Sequence, residues 1–88
     1  MTIQAHHGYF GMFDNGQVEG AYPNGARVRK VRSEPGDSQP IGTLGTVLGS
    51  IDPLMTRGVA YFVEWDSMPH HAVLVVAWKL LIQQRDAA

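Results

Sequence analysis

Ala72-Val73-Leu74-Val75-Val76-Ala77 is apolar at every position. Successive side chains of a strand point to opposite faces, so this segment puts valine and leucine on both sides of any sheet it joins. A small sheet domain has one interior, and a strand facing it ordinarily alternates apolar with polar. Two arrangements are open: Val73 and Val75 inward with Leu74 and Val76 outward, or the reverse. Either leaves a second apolar surface, to which Leu48 and Phe62 add, and contiguous exposed apolar surface marks an interaction site. The candidates for its cover are the N-terminal segment and a second copy of the chain, since two-fold homo-oligomers are the commonest assembly.

The neighbouring segments are also short, strand-like and bounded by glycine or proline. Tyr22-Pro23-Asn24-Gly25 is a turn leading into the basic strand Ala26–Arg32. In that strand Val28 and Val31 would fall on opposite faces unless a bulge or strong twist intervenes. Ser33–Pro40 holds Pro35, Gly36, Asp37, Ser38 and Pro40 and has the composition of a mobile loop. Gly42–Ile51 is a strand with three glycines, which weaken it but let it bend and approach other backbone. Asp52-Pro53 opens a turn that ends at Arg57-Gly58. Val59–Asp66 is the clearest strand, with Tyr61, Val63 and Trp65 on one face and Phe62, Glu64 and Asp66 on the other. Ser67–His71 is a tight connection. Trp78–Ile82 reads as one helical turn followed by a short closing strand. The layout predicts an all-β domain: a small five-stranded barrel over residues 25–82, an N-terminal arm over 1–24 and a fraying tail over 83–88.

The arm has no helical or sustained two-residue period, and Asp14-Asn15-Gly16 is a turn signal. It carries Tyr9, Phe10, Phe13 and Tyr22, a poor composition for a solvated tail. The expectation is that it packs on the barrel or on a neighbouring subunit. At 88 residues without cysteine, the core is small and neither a disulfide nor a thiolate metal site can brace it, so assembly becomes the first source of added stability. The net charge of −1 lacks the global positive field typical of nucleic-acid binders. No apolar run is long enough for a membrane span and no secretory leader pattern precedes the domain. The expectation is a soluble cytoplasmic protein with no membrane partner.

The pattern Gly25-x-Arg27-Val28-Arg29, Gly42-x-x-Gly45-x-Val47, Tyr61-Phe62-Val63-Glu64-Trp65, Val73-x-Val75 and Leu80 resembles a barrel of the Src-homology-3 type, which has five strands and a short helical turn before the last. Two families with this barrel are similar in places. Arg27-Val28-Arg29-Lys30, Gly45-Thr46-Val47-Leu48-Gly49 and Tyr61-Phe62-Val63-Glu64 resemble the plasmid-borne (type II) dihydrofolate reductases. That resemblance implies four chains around one pore and a Val-Gln-Ile-Tyr run on the fourth strand. Here that strand reads Ala72-Val73-Leu74-Val75-Val76, without glutamine or tyrosine, and Lys30 alone matches a functional position. Gly25-x-Arg27-Val28-Arg29, Gly45-x-Val47 and Val73–Leu81 resemble the barrel of the nitrile hydratase β subunit. The metal of that enzyme sits on the other subunit, held by cysteines that this chain lacks.

Candidate sites are few. Arg27, Arg29, Lys30 and Arg32 form a basic run that could hold a ligand, an anion or nucleic acid, or could protect an edge strand. Alternation splits it, with Arg27 and Arg29 on one face and Lys30 and Arg32 on the other. No aromatic interleaves the run as a stacking platform. His6-His7 and His70-His71 are adjacent pairs whose rings point apart, so no metal site is expected. Glu64 and Asp66 share a face, and a cross-strand pair such as Glu64 with Arg29 is favoured over acid–base work. Trp65 belongs to the core; Trp78 suits an oligomer or ligand surface, which Tyr9, Phe10 and Phe13 could join. No catalytic signature and no cofactor motif is present. The leading expectation is a non-catalytic binding or scaffold module, homo-oligomeric, with an interface of Leu48, Phe62, Leu74, Val76 and Trp78. The alternatives are an enzyme like the type II reductases, with its site between subunits, and a nucleic-acid-binding barrel.

Overall fold

The structure is a computed structural model that describes residues 3–4, 13–14, 16–52 and 58–83. It is all-β. A two-stranded ladder pairs β1 (Ile3–Gln4) with β2 (Phe13–Asp14). The main sheet comprises β3 (Arg27–Lys30), β4 (Leu44–Ile51), β5 (Ala60–Trp65), β6 (Val73–Val76) and β7 (Leu80–Ile82). Its order is β6-β5-β4-β3-β7 and every pairing is antiparallel. A single 3₁₀ turn, Ala77–Lys79, joins β6 to β7.

That connection dictates the shape of the sheet. Five flat strands would hold the two edges roughly 19 Å apart at the usual inter-strand spacing. Four residues from Val76 to Leu80 reach about 14 Å at most, and a 3₁₀ turn reaches less. The sheet must therefore curl until β6 and β7 approach one another. They are not hydrogen-bonded to each other, so the sheet remains open along that seam.

A register irregularity in β4 contributes to the bend. Val47 pairs with Val63, but Gly49 pairs with Phe62, leaving Leu48 as the extra residue of a bulge. Gly45 supplies the close approach. A Cβ there would lie 2.8 Å from Val63 Cγ1 and 2.9 Å from both the Glu64 carbonyl oxygen and Trp65 Cε3. Gly42, expected within the strand, lies in the preceding turn at φ +97°, and the strand starts at Leu44.

Side-chain alternation on this curled sheet builds the core. Val28, Val47, Tyr61, Val63, Trp65, Val75 and Leu80 point inward and are buried together. Tyr61, Val63 and Trp65 share the inner face, as their spacing predicts. Of the two arrangements open for β6, Val75 inward and Leu74 outward is the one adopted. β3 ends at Lys30, and Val31 continues beyond it by donating its N–H to the Lys79 carbonyl. The Val28–Val31 mismatch thus resolves by ending the strand, with no bulge in it.

The segment before β3 is fastened to the inner face. Ser50 donates its N–H to the Gly16 carbonyl, and its hydroxyl accepts the Val18 N–H at 2.8 Å. Tyr22 stacks on Tyr61 with ring centroids 5.3 Å apart and donates its N–H to the Tyr61 hydroxyl. Tyr9, Phe10, His6, His7, residues 53–57 of the expected turn from Asp52 to Gly58 and residues 84–88 of the expected tail lie outside the described residues, as does the side chain of Phe13. Among the described residues no helix is long and apolar enough to cross a membrane.

Candidate functional site

Alternation puts Lys30 on the same face as Val28, so it enters the interior and is only 3% exposed. An ammonium there is costly unless it is paired. The 33–40 loop supplies the partners. Lys30 Nζ lies 3.0 Å from Asp37 Oδ2 and donates to the Gln39 carbonyl. Gln39 is held in turn by the 66–70 turn, accepting from the Ser67 hydroxyl and donating to Met68 Sδ. The loop whose composition suggested mobility is thus pinned at its middle and near its end.

Lys79, the last residue of the 3₁₀ turn, reaches the same carboxylate. Its Nζ donates to Asp37 Oδ1 at 3.0 Å and Oδ2 at 2.8 Å, and to Glu34 Oε1 at 2.9 Å. Asp37 also accepts the Glu34 backbone N–H. The bonds from Lys79, from the Glu34 N–H and from Lys30 hold the Asp37 carboxyl far below the usual carboxylate range. The bonds to Asp37 and Glu34 raise the Lys79 ammonium above its ordinary value.

This charged cluster forms one wall of a cleft of about 170 Å³ beside β6. Trp65, Val73 and Val75 line it from the inner face, and Leu74 and Val76 line it from the strand edge. Ala77 donates its N–H to the Val59 carbonyl; antiparallel alternation then turns the Leu74 N–H and C=O away from β5. The Trp78 ring stands beside the cluster, with Lys79 Nζ 5.5 Å from its centroid.

The basic run is divided between the two faces of β3, with Lys30 inward and Arg29 outward as alternation requires. Arg27 is engaged on the outer face, where its guanidinium makes a fork of hydrogen bonds to both oxygens of Asp66 and a third bond to the Thr46 hydroxyl. That contact lowers the Asp66 carboxyl and raises Arg27. Lys30 is buried in the cluster, while Arg29 and Arg32 are exposed. Glu64 lies opposite Thr46, and Arg29 lies opposite Leu44 and Leu81, so the register does not set the anticipated Glu64–Arg29 pair face to face. Glu64 accepts the His70 N–H, with His70 in the left-handed region at φ 68°.

On the outer face Phe62 pairs with Leu74, and Ala60 with Val76. Leu74 is 53% exposed and Trp78 51%, while Leu48, Phe62 and Val76 are half-buried. Leu44, Leu81, Ile41 and Ile82 are exposed as well. Reasoning from the sequence singled out none of these four. It also missed the acidic partners Asp37 and Glu34 and the role of Lys79. Among the described residues no group of three or more His, Asp or Glu side chains is placed to hold a metal ion. Comparison with known proteins gave no matching family model, no matching curated protein and no matching solved structure.

Proposed function

We infer that this chain is a non-catalytic binding or scaffold module, built on a small β-barrel of the Src-homology-3 type and acting as a homo-oligomer. The barrel reading is supported by the strand order, the kink at Leu48 and the 3₁₀ turn before the last strand. Self-association rests on one observation. The outer face of β5 and β6 carries Phe62, Leu74 and Val76 side by side, with Glu64 beyond them on β5, and it runs on to Trp78, with Leu74 and Trp78 each about half exposed. Large apolar side chains clustered in this way are what an interface core requires.

Light scattering at micromolar concentration tests this reading. The expected mass is a multiple of the 9.7 kDa chain, and Leu74→Asp with Trp78→Asp should return it to one chain. A monomer at every concentration overturns the proposal. The nucleic-acid alternative has less support, because Arg27 and Lys30 are committed to Asp66 and Asp37. The reductase alternative has no glutamine or tyrosine on β6 to hydrogen-bond a pterin or nicotinamide amide.

A further inference from the structure

The cluster beside β6 carries an imbalance that the self-association reading does not use. A lysine ammonium has three N–H donors. Lys30 directs two of them at Asp37 and Gln39, and among the described residues its third has no acceptor, although its side chain is only 4% exposed and it lines the cleft. Lys79 shares Asp37 Oδ2 with Lys30, so one oxygen bridges the two nitrogens. The remaining anion, Glu34, differs in kind from Asp37. Its side chain is 55% exposed, so it contributes little to holding the cluster and can swing into water. Without it, two ammonium groups face one carboxylate at the end of a cleft whose other wall is Trp65, Val73 and Val75.

We propose that this cleft binds a small organic carboxylate, with its head group taking the place of Glu34 on Lys79 and accepting the third donor of Lys30, and its apolar body against Trp65 and Val75. The buried ammonium supplies a charge-assisted bond in a place poor in water, where such bonds are strongest. The cleft is smaller than the 300–1,000 Å³ or so of pockets that hold drug-sized ligands. This restricts the body to a single ring or a short alkyl chain. The site lies within one protomer, so occupancy does not depend on self-association, and either reading can fail without the other.

Phenylacetate, its neutral analogue 2-phenylethanol and inorganic phosphate are the probes. Titration is followed by NMR at the Trp65 indole N–H and the amides of Val73 to Val76, with the Gly25 amide as the outside reference. Phenylacetate is expected to bind at about 1 mM or tighter, the scale for a ligand of roughly ten non-hydrogen atoms. The alcohol and phosphate should bind at least about tenfold more weakly, since each lacks one half of the recognition. Lys30→Met should weaken phenylacetate about tenfold or more. Glu34→Gln, on an exposed side chain that the fold does not need, should tighten it by about threefold by removing the competing anion. If Lys30→Met does not fold, the Glu34→Gln result and the acid–alcohol comparison still decide. Equal binding of acid and alcohol, equal binding of phosphate, or no tightening by Glu34→Gln each overturns the proposal.

Discussion

Lys30 and Asp37 depend on each other for their state. The lysine tolerates burial because the carboxylate is there, and the carboxylate stays ionised to unusually low pH because Lys79, the Glu34 N–H and Lys30 all donate to it. Asp66 is lowered in the same sense by Arg27. A carboxylate lowered on folding makes the unfolded chain the better proton binder just below its ordinary pKa of about 3.9. The stability it lends is therefore complete above about pH 5 and is lost as pH falls through the folded values. Urea midpoints at pH 7, 4 and 3 should fall most steeply in the acid step. Asp37→Asn should start lower and fall less, Asp66→Asn should do the same more mildly, and parallel pH curves for all three proteins would refute the linkage. Gly45 makes a different kind of demand, on space. Gly45→Ala forces a methyl against Val63, the Glu64 carbonyl and Trp65, and calorimetry should register about 1–3 kcal/mol of lost stability. The facing of Lys30 was legible in the alternation of β3. Its burial was not, because the partners arrive from a loop and from a turn distant in sequence, and no local pattern encodes that meeting.

β5 and β6 were the most legible elements, since a β-branched and aromatic run has few other ways to fold. β4 was legible as a bent, glycine-bearing strand but not in its register. Nothing local distinguishes Leu48 as the bulged residue, and the kink is selected by what β3 and β5 require on either side of it. The segment before β3 was readable only as too aromatic for a solvated tail. Its attachment runs through two polar groups on the inner face, Ser50 and the Tyr61 hydroxyl. Ser50 is buried, and a buried hydrogen bond is worth roughly 0.5–1.5 kcal/mol. Ser50→Ala and Tyr61→Phe should each cost about that much. Together they should expose the backbone of residues 16–22 to limited proteolysis while β5 amides stay protected against hydrogen exchange. Loss of protection throughout the sheet in the double variant would mean that the segment belongs to the folding core and is not an attachment to it.

At the scale of the whole molecule, the inner face of one curled sheet buries seven apolar side chains in contact among the described residues, and a chain of 88 residues has a small core for an independent domain. The same sheet exposes Leu74 and Trp78. If the chain recovers its missing stability by association, folding and assembly are linked, and the apparent melting temperature must rise with protein concentration. Differential scanning calorimetry over a hundredfold concentration range should show that rise for the natural chain. Leu74→Asp should melt lower and independently of concentration, because a charge on the outer face of β6 touches nothing in the core but cannot be buried unpaired against a second copy. Arg29→Asp, at an exposed position on a different patch of the outer face, should leave the concentration dependence intact. A melting temperature that ignores concentration in the natural chain would show that a single chain holds the fold alone. The apolar face of β6 would then have to be explained by a different partner.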